Sequence, residues 1–147
     1  MREIEFRGKR IEDGKWIYGC YWYVEEHYAN PIENKTHFIK SKNNGIDYKV
    51  DIETLGQFTG LTDKNGTKIF EGDILCMTFS NEFTNNEEVK IYNYVKYNDG
   101  MFATFYKDEY GEEIEDDRLC KALIEVDKLE VVGNIYDNLE LLGASYE

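Results

Sequence analysis

Apolar and polar residues alternate with period two along most of this chain, and turn dipeptides interrupt the alternation at short intervals. The segment EIEFRGKRIEDGKWIYGCYWYV alternates on both sides of Asp13-Gly14, a pair that supports the positive φ of a tight hairpin. On the second strand of that hairpin, Trp16, Tyr18, Cys20 and Trp22 share one face. Ile17, Tyr21 and Tyr23 share the other, with Gly19 as a gap. A strand apolar on both faces is either central in a covered sheet or lends an aromatic face to a subunit contact.

Farther along, residues 25–35 read as a loop, HFIKSK as a short strand and Asn43-Asn44-Gly45 as a turn. YKVDIETLGQF reads as a strand wet on one face, with a bend at Gly56. Asn65-Gly66 then predicts a hairpin between QFTGL and TKIF, closed by the Asp63 side chain. Glu71-Gly72-Asp73 turns the chain into ILCMTF. Two sharp turns this close together suggest a small barrel whose strands bend across corners. VKIYNYVKY and MFATFYK form a further hairpin about Asn98-Asp99-Gly100, and LEVVGNIY a last strand before DNLELL, a short terminal turn or helix. RLCKALIEV stays open between a helical turn and an edge strand, because so short a run fits both periods.

Composition sharpens this picture. Aromatic residues make up 15% of the chain, twelve of them Tyr, against a single proline, which leans the fold toward β structure. The formal charge of −13 is unevenly placed: residues 1–73 hold eleven Lys/Arg and thirteen Asp/Glu, residues 74–147 six and seventeen. A field of that sign repels phosphate backbones and anionic lipid, and it suits a solubilising surface or a basic partner. Cys20, Cys76 and Cys120 are odd in number and far apart, unlike a disulfide framework or a CxxC site. MREIEFRGKR lacks the apolar stretch of a leader, and no apolar run is long enough to span a bilayer. A protein of the reducing cytoplasm is expected.

Three segments together carry a family resemblance: FRGKRIEDGKWIYG, GQFTGLTDKNGTKIFEGDIL and VVGNIYDNLELL. The chain resembles the YopX family, encoded by phages, prophages and plasmids of mainly low-GC Gram-positive bacteria, over its whole length. The closing segment departs from the family pattern in having Leu139 where a proline is usual. The resemblance implies a mostly β fold with a small SH3-like barrel and a phage or prophage accessory protein in the host cytoplasm. It implies no catalytic residue. The expected architecture is one domain with a soft division, an N-terminal β lobe over residues 1–55 packed on a small barrel over 56–147.

The signature residues Gly60, Asp63, Asn65, Gly66, Glu71, Gly72 and Asp73, with Gly133 and Asn134 of the closing segment, read as turn formers. Asp63, Glu71 and Asp73 have a second reading, as carboxylates for acid–base work or Mg²⁺. Geometry alone explains them as acceptors for turn N–H groups, so no catalytic, cofactor or metal site is expected. The glycine spacing is not followed by the Lys-Ser/Thr of a phosphate loop. His27 and His37 lack a further convergent ligand, and Cys76 and Cys120 read as core. Asp108 to Asp117, seven acids in ten residues, reads as a solvated loop without the ligand spacing of a calcium site. The function these features favour is a non-catalytic interaction module that uses Trp16, Tyr18, Tyr21, Trp22 and Tyr23 for self-association and for a host or phage protein partner. The alternative is nucleic-acid association through Arg2, Arg7, Lys9, Arg10 and Lys15, and the third reading an enzyme using the signature carboxylates.

Overall fold

The computed structural model describes residues 2–25 and 35–143. The expected loop at 25–35, with His27, falls almost wholly outside them. The described chain is mainly β, as the alternation predicts, and it divides into two compact units, Met1–Phe58 and Thr59–Glu147.

The first unit opens with the Asp13-Gly14 hairpin, β1 (Phe6–Lys9) against β2 (Trp16–Glu25). The Asp13 carboxylate accepts the Lys15 N–H at 3.1 Å and so holds the turn. β3 (Lys35–Ser41) pairs with β2, and β4 (Asp47–Lys49) pairs with β3. The start of β5 (Gly56–Thr62) pairs with β1, and the chain enters the second unit along that strand. Ile39, Val50 and Phe58 are buried, and Gly8 leaves room for Val50 and Ile39. Gly19 has φ +156°, and a Cβ there would lie 1.9 Å from the Lys40 carbonyl oxygen. The gap in the aromatic strand thus lets β2 and β3 approach.

YKVDIETLGQF is not one strand. Val50 makes an isolated bridge to Arg10, and Asp51 then caps a 3-10 turn over Ile52–Thr54 by accepting the Glu53 N–H. Thr54 fixes that turn, accepting the Lys9 N–H at 2.8 Å and donating to the Asp51 carbonyl at 2.7 Å. An Asp–x–x–Thr pattern therefore overrides the alternation through local side-chain bonds.

In the second unit β5 continues into the Asn65-Gly66 turn and β6 (Lys68–Phe70). A five-stranded antiparallel sheet follows, in the order β10-β9-β8-β7-β11. Its strands are β7 (Asp73–Phe79), β8 (Val89–Asn98), β9 (Met101–Lys107), β10 (Glu113–Arg118) and β11 (Lys128–Asn134). The sheet is open, with β10 and β11 at its edges, so the small barrel suggested by the two sharp turns, and given as SH3-like by the family resemblance, is not closed. The Glu71-Gly72-Asp73 turn hands the chain from β6, in one sheet, to β7, in the other, instead of bending one strand around a corner. Four carboxylates along β10 also suit an edge left unpaired.

Alternation along β7 places Leu75 and Met77 on one face with Val95, Leu129, Leu119 and Ala122. Ile74 lies on the other with Tyr94, Ala103, Phe105 and Leu142. The stretch left open at Arg118–Val126 is helical: α1 spans Leu119–Glu125 and buries Leu119 and Ala122. Cys120, expected in the core, is exposed because the helical period turns it away from those two; Cys76 is buried. A short α2 (Glu140–Gly143) buries Leu142. The acidic run is only in part a loop, since Glu113–Arg118 forms β10. Among the described residues no helix is long and apolar enough to cross a membrane.

Candidate functional site

The signature is a cluster of backbone-binding carboxylates. Asp63 is 6% exposed, and its Oδ1 accepts the N–H groups of Asn65 and Thr67, each at 2.9 Å. Its Oδ2 accepts the Val131 N–H at 3.0 Å, where β11 shifts register against β7. One side chain thus shapes the Asn65-Gly66 turn and ties it to an edge strand 68 residues away. Asn65 Nδ2 and Lys64 Nζ reach Glu130, and the Asn65 amide, with the two lysines Lys128 and Lys64, holds that carboxyl below the usual range.

Asp73 is 2% exposed, and its Oδ2 accepts the Phe70 N–H at 2.7 Å. Gly72 donates to the Val95 carbonyl and accepts from Ile135, each at 2.8 Å. Glu71 is half-buried in the same turn, and Gly60, Gly66 and Gly72 all have positive φ. In the closing segment Asn134 Oδ1 accepts the N–H groups of Tyr136 and Asp137. Gly133 is required by contact, since a Cβ there would lie 2.5 Å from Asn138 Oδ1. Carboxylate lone pairs filled by buried N–H groups make strong turn clamps.

The aromatic strand divides by face as its alternation requires. Trp22 stacks on Phe38 at 4.4 Å and donates its indole N–H to Asp47 at 2.8 Å. That bond, with Lys40, keeps the Asp47 carboxyl below its ordinary range. Trp16 lies under Arg7 and Lys9, at 4.8 and 5.5 Å from the ring centre, and Tyr18 lies near Lys42. Across the strand, Tyr21 lies against Phe6 and Tyr23, and its hydroxyl meets His37 Nδ1 at 2.6 Å. Burial raises the Tyr21 hydroxyl above its ordinary pKa. Of the basic residues, Arg7 is 6% exposed, and Arg10 pairs with Glu12 and Asp13 and covers the Tyr48 ring. Arg2 and Lys15 are exposed. The five cations are therefore not one open surface.

A different place in the second unit is concave. A cleft of about 530 Å³ is lined by Ile91, Tyr92 and Asn93 of β8, Tyr106 of β9, and the carboxylates of Asp108, Glu109 and Asp116. That volume is ordinary for a small-ligand site. The β8–β9 register runs from Asn98↔Met101 to Tyr94↔Phe105, and the lining residues lie past its far end. Asp108 turns the chain there, its Oδ1 accepting the N–H groups of Tyr110 and Glu112. β10 shifts register between Glu115 and Asp117, placing Asp116 at a bulge.

Asn93 is fully buried, and its Nδ2 donates to Asp116 Oδ2 at 2.8 Å. Its Oδ1 accepts no hydrogen bond from the described residues. The amide cannot be turned round, because its oxygen would then face the carboxylate. A buried carbonyl left without any donor costs about 1–3 kcal/mol, so this oxygen calls for a donor. Tyr92 faces Cys76 across the strands, and the Cys76 sulfur raises the Tyr92 hydroxyl above its ordinary pKa. Among the described residues no group of three or more His, Cys, Asp or Glu is placed to hold a metal ion.

Sequence reasoning singled out the acidic run but not its partner strand. The missed signal is Asn93 itself, a polar residue on the face of Ile91 and Val95, where the alternation calls for an apolar one.

The family model described as YopX protein matches residues 5–143. Protein EF1440 from Enterococcus faecalis, known from its crystal structure, has a similar fold. Its TM-score is 0.53 at 23% identity, with 97% of this chain and 99% of that one covered. No curated protein matches the chain.

Proposed function

We propose, from the premise that the chain belongs to the YopX family, that it is a non-catalytic binding module whose second unit receives a group of a partner protein in the Asn93–Asp116 cleft. The observation that carries this reading is the donorless, fully buried Asn93 Oδ1 beside a carboxylate at the wall of an open cleft. Natural cores rarely leave such an acceptor unmet, and a bound group at an adjoining cleft is one way to meet it. The signature acids support the same reading from the other side: Asp63 and Asp73 are committed to backbone donors. A phage or prophage accessory role in the host cytoplasm accompanies the proposal, with a host or phage protein as partner. Self-association through the exposed Trp22, Tyr23 and Val24 belongs to it too, and light scattering behind size-exclusion chromatography tests that part.

The test is a peptide-display selection on the purified protein, with Asp116→Lys as the counter-target. Enrichment of peptides that bind the parent and not the variant supports a receptor cleft. A selection that enriches nothing, or peptides indifferent to Asp116, removes it.

A further inference from the structure

Resting on that reading, the chemistry of the cleft names the group it takes. Every charged side chain lining it is a carboxylate, and Asn93 adds a buried carbonyl, so its charged groups and the orphan carbonyl offer acceptors. Ile91 and Tyr106 supply apolar surface for an aliphatic stem and an aromatic neighbour for a flat cation. The two acceptors that matter lie close together, bridged by the 2.8 Å bond from Asn93 Nδ2 to Asp116. A single point charge cannot span a carboxylate and a neighbouring carbonyl as well as a planar fork of N–H donors does.

We infer that the cleft receives the guanidinium of an arginine side chain presented by a partner protein. One edge of the fork pairs with Asp116, and an N–H directed inward supplies the donor that Asn93 Oδ1 lacks. Asp116 is exposed and sits at the bulge of an edge strand, so a small swing of its side chain that keeps Oδ2 on Asn93 Nδ2 opens the way to the amide oxygen and leaves Oδ1 for the fork. The acidic second half, six cations against seventeen acids in residues 74–147, steers a basic segment toward this unit.

Titration of the ¹⁵N-labelled protein with N-acetyl-arginine amide, its lysine counterpart and its citrulline counterpart tests the assignment. The probes separate flat charge, point charge and flat neutral shape, and the readout is the Asn93 side-chain amide pair with the backbone of Tyr92 and Asp116. The arginine probe is expected to shift these signals saturably at about 0.15 M ionic strength. Affinity should fall at least about tenfold for lysine, for citrulline and in Asp116→Asn, as removal of one partner of a hydrogen-bonded charge pair does. Asp116 is exposed, so that variant keeps its fold, which the unchanged remainder of the spectrum verifies. Equal response to lysine and arginine, or shifts that vanish at that ionic strength, would mean diffuse charge attraction only. A silent Asn93 amide would mean that its oxygen is met by a structural water only. Each of these overturns the arginine assignment. Selected peptides that need Asp116 yet contain no arginine would overturn it while leaving the receptor cleft standing.

Discussion

Replacing Asp63 by Asn tests how much of the second unit hangs on one carboxylate. The charged group accepts three N–H donors at 2.9, 2.9 and 3.0 Å and is 6% exposed. An amide keeps one oxygen, which can stay with Asn65 and Thr67. Its NH₂ then points at the Val131 N–H, donor against donor. Losing one charge-assisted bond and stranding a buried donor together cost about 2–3 kcal/mol. For a chain of this size that is a fall in Tm of about 5–10 °C. Urea denaturation followed by far-UV circular dichroism measures the first quantity. Both tryptophans, Trp16 and Trp22, lie in the first unit, so their fluorescence reports that unit separately. Amide hydrogen exchange supplies the local readout: Val131 should exchange faster in Asp63→Asn, with Asn65 and Thr67 less affected. A variant within about 0.5 kcal/mol of the parent, as surface changes are, with Val131 protected as before, refutes the clamp.

Three further predictions are independent of the clamp. Gly133→Ala should destabilise by about 1–3 kcal/mol, as overpacking does, because its Cβ meets Asn138; the cost should shrink in an Asn138→Gly background, measured as a double-mutant cycle. Glu113 has its pKa lowered by the Lys96 ammonium, bonded at 2.6 Å, and by the Tyr94 hydroxyl, so its stabilising contribution is present above the ordinary carboxylate pKa of about 4.3 and is lost as pH falls through the lower folded value. The stability gap between parent and Glu113→Gln should accordingly be flat near neutrality and close in acid, read by urea unfolding at stepped pH. Cys20 and Cys120 are exposed and Cys76 buried, so a thiol reagent should titrate two groups quickly in the native state and the third only on unfolding.

Turns were the most legible part of the fold. Asp13-Gly14, Asn65-Gly66 and Asp99-Gly100 sit where their backbone preferences put them, and the strands between them follow from alternation. Local side-chain chemistry misled where it competed with that alternation, as at Asp51 and Thr54, whose bonds make a helical turn inside an apparent strand. Whether the sheet closes is a long-range property of strand order, and the turn at Gly72 looks the same in an open sheet as in a barrel. The acidic run illustrates a different blindness. Its charge density suggests solvent on all sides, yet Glu113 is held by Tyr94 and Lys96 and Asp116 by Asn93, partners about twenty residues upstream. For the candidate site, half of the information lay in one polar residue out of pattern at Asn93. The other half is the β10 bulge that sets Asp116 beside it, which no local pattern announces.

The central claim is a division of labour, with signature carboxylates holding the fold and the Asn93–Asp116 cleft doing the binding. Its most direct measurement is the affinity of one cleft-selected peptide for the parent, Asp63→Asn and Asp116→Lys, by calorimetry at a temperature where all three are folded. The account predicts unchanged affinity with lowered Tm for Asp63→Asn, and lost affinity for Asp116→Lys, with a fall in Tm no larger than the one stranded Asn93 donor accounts for. Lost binding in Asp63→Asn, with Asp116→Lys binding as the parent does, would contradict it.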